Sequence, residues 1–147
     1  MKARFETFTM QIAKISRCIK KIKTEEMSEY NLKSPHVSCL YYMYKHGEPL
    51  PAKELCDLCD EDKASISRSI DYLEKNGYIY VDSKTEKRYN SPLSLTEKGV
   101  KVAENIAGKI DNILNIASEG LTEENRKIFY ESLILISDNL QKICIKY

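Results

Sequence analysis

Asp62-Lys63-Ala64-Ser65-Ile66-Ser67-Arg68-Ser69-Ile70-Asp71-Tyr72-Leu73-Glu74-Lys75-Asn76-Gly77-Tyr78-Ile79 is the most informative run of this 147-residue chain. Ile66, Ile70 and Leu73 recur at intervals of 4 and 3 and form one apolar stripe of a helix. Around the first turns stand Lys63, Ser65, Ser67 and Arg68, donors suited to phosphates and base edges. Asp62 is placed to cap the start. Asn76-Gly77 ends the helix, with Gly77 supplying a left-handed residue. A helix held from one side and offering polar groups from the other reads as a recognition helix.

The neighbouring segments supply a frame for it. Ser34-Pro35 starts a helix through Leu40, Tyr41 and Tyr44, with Ser34 as N-cap and Pro35 at the first helical position. That helix stops at His46-Gly47, and Pro49 and Pro51 forbid its continuation. A short helix, Ala52 to Cys59, follows with Leu55 and Leu58 expected inward, and the acidic turn Asp60-Glu61-Asp62 leads to the recognition helix. Tyr78 to Val81 is rich in strand formers, and Pro92 to Leu95 returns antiparallel to it. The polar stretch from Lys84 to Asn90 between them is expected to be the tip of a wing, and Thr96 caps the next helix.

The two ends carry heptad stripes. Phe5, Phe8, Ile12, Ile15, Ile19 and Ile22 are spaced by 3, 4, 3, 4 and 3; Phe129, Leu133, Ile136, Leu140, Ile143 and Tyr147 by 4, 3, 4, 3 and 4. Such seams need a partner. With the helix from about Glu97 to Ser118 they are expected to form a dimerisation layer; the alternative is an ordinary intramolecular bundle. The fold expected is mainly α with a small β-hairpin wing: a winged helix-turn-helix of about six helices. A single domain covers 1–147, with the lobe at 34–96, the helix-turn-helix at about 52–76, the wing at about 78–95, and dimerisation helices at 3–23 and 97–147.

Composition limits the classes of function. A hydrophobic fraction of 42% and a charged fraction of 31% describe a folded globular protein, and no apolar run approaches the ~20 residues that span a bilayer. Met1 to Lys21 has no continuous apolar core of a secretory signal, so a cytoplasmic location is expected. The five cysteines, Cys18, Cys39, Cys56, Cys59 and Cys144, lie within helical patterns and are expected to be thiols. The 23 basic and 22 acidic side chains leave a net charge of +1, so any DNA affinity must come from where the charges sit.

The run Ser65-Ile66-Ser67-Arg68, then Leu73 to Ile79, then Leu95-Thr96-Glu97-Lys98-Gly99 after the hairpin, resembles the MarR (multiple antibiotic resistance regulator) type of winged-helix transcription factor. The helix order and long terminal helices extend the likeness over nearly the whole chain. The resemblance implies a triangular homodimer whose two lobes straddle successive major grooves of a pseudo-palindromic operator. The expected DNA contacts are Lys63, Ser65, Ser67 and Arg68, with Ser34 and His36 beside them. Arg88 is the implied wing arginine in the minor groove. The family's wing usually has an acid followed by two basic residues; here the matching positions are Lys87, Arg88 and Tyr89, with Glu86 displaced by one.

The resemblance also implies a crevice for a small aromatic or lipophilic effector, for which Tyr41, Tyr44 and Ile15 are the candidates. The plainer alternative is that Tyr41 and Tyr44 are core and Tyr42 surface. A cysteine that senses oxidants near the start of the first helix in some members is matched here by about Thr9; Cys18, farther along beside Arg17 and Lys20, is the remaining thiol-sensor candidate. Cys56 and Cys59 form a Cys-x-x-Cys, but a closed zinc site needs about four ligands, so no metal and no cofactor are expected. The basic first helix is better used by the seam than by a membrane. No phosphate loop or nucleophile–base pair appears, and the chain is not expected to be an enzyme. The expectation is a DNA-binding regulator, a repressor acting as a homodimer on double-stranded DNA. The alternative is a winged-helix protein-interaction module, to which eight acids between Asp60 and Glu97 lend weight.

Overall fold

A computed structural model describes residues 2–47, 49–82 and 91–147. The elements run α1 (Lys2–Glu26), a 3-10 turn (Ser28–Tyr30), α2 (Ser34–His46), β1 (Leu50–Pro51), α3 (Ala52–Cys59), α4 (Lys63–Lys75), β2 (Ile79–Val81), β3 (Pro92–Leu95), α5 (Glu97–Ala117) and α6 (Glu123–Cys144). Together they make the winged helix-turn-helix expected, with six α-helices among the described residues. The chain divides into two compact units, Met1–Lys109 and Ile110–Tyr147.

In the first unit, α2 packs against α1, α3 and α4, and α4 also rests on α3 and β2. The core they enclose contains Val37, Leu40 and Met43 of α2, Leu55 of α3, Ile66, Ile70 and Leu73 of α4, and Ile79 and Leu93 of the sheet. All three predicted stripe residues of α4 are therefore inside. Val102, Ala103, Ile106 and Ala107 of α5 are buried in the same unit. Lys109 closes its edge, with Nζ 3.4 Å from a Glu29 carboxylate oxygen and 3.2 Å from the Glu26 carbonyl.

The hairpin forms in the expected antiparallel sense, with Ile79 opposite Leu95 and Val81 opposite Leu93. A third strand joins it: Leu50 pairs with Leu93 and Pro51 with Pro92, giving the order β1-β3-β2. In the sequence Pro49 and Pro51 mark only the stop of a helix. A two-residue edge strand has no period to read, and an edge is where proline can sit in a sheet. The expected wing tip, with Arg88, lies outside the described residues.

Two local expectations need correction. Leu58 is 41% exposed. Ala52 and Leu55 are the buried residues of α3, with Cys56 and Cys59 half-buried beside them. Positions 52, 55, 56 and 59 share one helical face, and Leu58 falls on its flank. The N-cap of α2 is Lys33, so Ser34 is already helical. Instead of a serine cap, the Lys33 N–H donates to His36 Nδ1 at 3.0 Å, the return bond of a capping box.

The ends of the other helices follow their sequence signals. Asp62 accepts the Ser65 N–H at 2.7 Å. At the far end of α4 the Gly77 N–H reaches the Glu74 carbonyl and the Tyr78 N–H reaches Leu73, while Gly77 has φ +77°. This pair of bonds is a Schellman closure, and its positive φ suits glycine. Thr96 Oγ1 accepts the Gly99 N–H at 3.0 Å and donates to the Gly77 carbonyl at 2.6 Å, so one hydroxyl caps α5 and ties it to the end of α4.

In the second unit the end of α5 turns at Gly120 into α6, whose first turn is capped by Thr122 accepting the Asn125 N–H at 3.1 Å. No residue of α6 is buried.

Candidate nucleic-acid interface

The geometry of α4 separates two faces. At about 100° per residue, the buried Ile66, Ser69, Ile70 and Leu73 occupy an arc of roughly 100°. Lys63, Ala64, Ser67, Arg68, Asp71 and Lys75 are exposed and fill an arc of roughly 140° elsewhere on the helix. Ser65 is half-buried on the flank, its N–H held by Asp62. The structure thus brings Lys63, Ser67 and Arg68 to one open side and sets Ser65 at its margin.

Ser34 and His36 sit half-buried at the start of α2. The His36 ring stacks on Tyr72 of α4, centroids 4.3 Å apart and planes 9° from parallel. The Tyr72 hydroxyl donates to the Asn31 carbonyl at 2.7 Å. Burial, helped by the nearby Lys33 charge, holds the His36 pKa below its ordinary value of 6.5. The neutral ring is the form that accepts the Lys33 N–H. His36 therefore joins α2 to the recognition helix, a structural role that sequence reading missed. Histidine three residues after a cap position was its only local sign; the tyrosine beneath it is a tertiary neighbour.

The other end of α4 is fixed as firmly. Lys98 Nζ donates to the Asn76 carbonyl at 2.8 Å and lies 4.3 Å from the Tyr78 ring centroid, a cation–π contact. α4 is thus anchored at both ends, with its outer face open between them.

Of the effector candidates, Tyr44 lines a cavity of about 320 Å³ together with Met43, Pro49, Leu93, Leu95 and Val100. Tyr41 instead lies edge-on to Tyr42 and near Lys45 Nζ, and Ile15 is exposed on α1. Tyr41, Tyr42 and Tyr44 are all half-buried, so the division into core and surface tyrosines does not hold. Cys18 is exposed. Among the described residues no His, Cys, Asp and Glu cluster of three or more is placed to hold a metal. No helix among them is long and apolar enough to cross a membrane.

A short scaffold helix and a recognition helix, followed by a hairpin that a strand ahead of them joins as a third, define a winged-helix protein. Residues 30–88 match the model of the MarR family. A MarR protein from Peptoclostridium difficile has 21% identity and a TM-score of 0.83, over 95% of this chain and 90% of that one. A MarR family regulator from Neisseria meningitidis has 16% identity and a TM-score of 0.82, over 97% of each chain. The complex of MepR from S. aureus with DNA has 18% identity and a TM-score of 0.80, over 93% of this chain and 99% of that one. At these identities the structural likeness establishes the fold. No protein of curated function matches the chain in sequence. The family match covers residues 30–88, and the fold is that of a winged-helix protein.

Proposed function

We propose that the protein is a DNA-binding transcriptional regulator that acts as a homodimer on a pseudo-palindromic operator. The observation carrying this reading is the open face of α4, where Lys63, Ser67 and Arg68 project while the opposite face is locked into the core. A helix of this kind fits a major groove about 12 Å wide. MepR, a protein of the same fold, has been seen bound to DNA. In this reading Arg68 contacts base edges or phosphate, Lys63 and Ser67 fix register, and Ser65, Ser34 and His36 lie at the margin of the contact. Arg88 is assigned to the minor groove from its place in the sequence.

Dimerisation through 3–23 and 97–147 is supported by apolar side chains that the single chain leaves uncovered. Phe5 is 75% exposed, and Ile12, Ile15 and Ile19 share its stripe on α1. Phe129, Ile136, Leu140 and Ile143 are exposed along α6. Stripes of this length demand cover, and a second copy of the chain provides matching ones. Repression relieved by a small aromatic or lipophilic effector completes the proposal. The cavity beside Tyr44 falls within the usual ligand range of about 300–1,000 Å³.

The test is a gel-shift series with the gene's own upstream DNA. Affinity should fall steeply with salt as counterions are released. Arg68→Ala should weaken binding by about 1–3 kcal/mol without unfolding the protein. Little binding at any salt would favour a protein-interaction module instead, and unchanged affinity in Arg68→Ala would remove this docking.

A further inference from the structure

A closed ring of polar contacts runs through the recognition helix, and none of its members lies on the open face of α4. Tyr72 and Asn76 follow Arg68 at intervals of four, so they occupy the next two turns on that side of the helix. The Tyr72 hydroxyl donates to the Asn31 carbonyl at 2.7 Å. Lys98 Nζ donates to the Asn76 carbonyl at 2.8 Å and lies 4.3 Å from the Tyr78 ring centroid. Asn31 has φ +56°, a left-handed conformation that asparagine tolerates better than most residues. The hydroxyl of Tyr30, the residue before it, accepts the Asn105 side-chain N–H of α5 at 2.6 Å. One turn farther along α5, Lys109 pairs with Glu29 at 3.4 Å. The path thus leads from α4 to the 3-10 turn, from there to α5, and along α5 through Lys98 back to the end of α4.

These ties constrain what burial alone leaves loose. Burying Ile66, Ile70 and Leu73 is a non-directional gain that sets the depth of α4 more than its roll. Hydrogen bonds between elements are directional and weaken steeply when bent, so they resist that roll. A roll of ~10° displaces a side-chain tip ~6 Å from the helix axis by ~1 Å. Such a shift is enough to break a hydrogen bond to a base edge.

We infer that Lys98 and Tyr72 are positioning residues for DNA readout: they set the roll of α4, and with it the aim of Lys63, Ser67 and Arg68, without touching DNA. The inference rests on the DNA-binding reading above. Lys98 is exposed, yet it stands at the end of α4 opposite the first turns that carry the donors. Its charge suits the carbonyl end of a helix. Tyr72 is half-buried, with its ring stacked on His36 and its hydroxyl spent on Asn31. Two such residues leave a distinct signature. Phosphate contacts add affinity for every sequence, whereas the aim of a helix matters only where base edges are read.

The experiment compares full-length wild type, Lys98→Met, Lys98→Arg and Tyr72→Phe across a salt series. Each is titrated onto the gene's own upstream DNA and onto a scrambled duplex of equal length. Lys98→Met and Tyr72→Phe should each lower affinity for the upstream DNA about 3- to 10-fold, with affinity for the scrambled duplex and the salt slope unchanged. Lys98→Arg, whose guanidinium can donate to the same carbonyl and face the same ring, should restore most of the loss. Hydrogen exchange read by NMR is a second measure that needs no DNA. The amides of Asn76, Gly77 and Tyr78, which close the end of α4, should exchange faster in Lys98→Met. A salt slope lower by about 1 in Lys98→Met would make Lys98 a phosphate contact and overturn the inference. Equal losses on both duplexes, full affinity for the upstream DNA in Lys98→Met and Tyr72→Phe, or unchanged exchange would overturn it too. A wild type that binds both duplexes alike would refute the DNA-binding reading and the readout role with it, and the exchange rates would then separate that failure from the absence of the brace.

Discussion

Replacing Gly99 by alanine should destabilise the fold, although the change normally strengthens a helix. Gly99 is buried in the first turn of α5, its N–H held by the Thr96 hydroxyl at 3.0 Å. A Cβ there falls well inside contact distance of the Tyr78 carbonyl oxygen and 3.3 Å from the Leu95 side chain. The carbonyl is backbone and pinned: its oxygen accepts the Thr96 N–H at 3.0 Å, and the Tyr78 N–H bonds Leu73 at 2.9 Å. Relief requires the start of α5 to move away, losing one hydrogen bond (about 0.5–1.5 kcal/mol) and straining the core (about 1–3 kcal/mol). Helix propensity returns ~1 kcal/mol, so the net loss is about 2 kcal/mol. Gly108, on the same helix, has nothing within 4 Å of an added Cβ, and Gly108→Ala should stabilise by up to about 1 kcal/mol. Urea unfolding followed by circular dichroism, at one protein concentration, measures both. If Gly99→Ala proves as stable as the wild type, the close approach of α5 to Tyr78 does not hold and the reasoning is wrong.

Three further predictions concern the frame of the site. His36 has a folded pKa below 6.5, so its contribution to stability is full above that value and is lost as pH falls through the folded value, the unfolded chain binding the proton first. Between about pH 7 and about pH 5 the wild type should therefore lose stability relative to His36→Gln; parallel pH profiles would refute the packed, neutral imidazole. Asp62→Ala removes the cap of α4 and should cost about 1 kcal/mol, with Asp62→Ser recovering most of it; unfolding midpoints decide, and no loss would deny the cap. Ile136→Asp on the exposed stripe of α6 should convert a dimer to a monomer in sedimentation equilibrium; a wild type that is already monomeric at micromolar concentration would refute the pairing itself.

The lobe was legible where most local rules applied, although Lys33 and not Ser34 caps α2. Ile66, Ile70 and Leu73 fixed the inner face of α4 by period alone, and Asp62, Gly77 and Thr96 marked boundaries because each satisfies orphaned backbone groups within a few residues. Leu58 misled because an eight-residue helix offers two overlapping apolar spacings, and which one faces inward depends on where α2 lies. β1 was missed because its pairing with Leu93 reaches 43 residues along the chain. The stacking of His36 on Tyr72 depends on which helices pack together.

The amino-acid string alone established helix phases, caps, turns and the exposed donors of α4, since these follow from contacts between residues a few positions apart. The tertiary structure alone decided that Gly99 must lack a side chain and that His36 braces the recognition helix. Those facts arise where segments remote in sequence are pressed to van der Waals contact, and periodicity carries no record of what lies across such a contact.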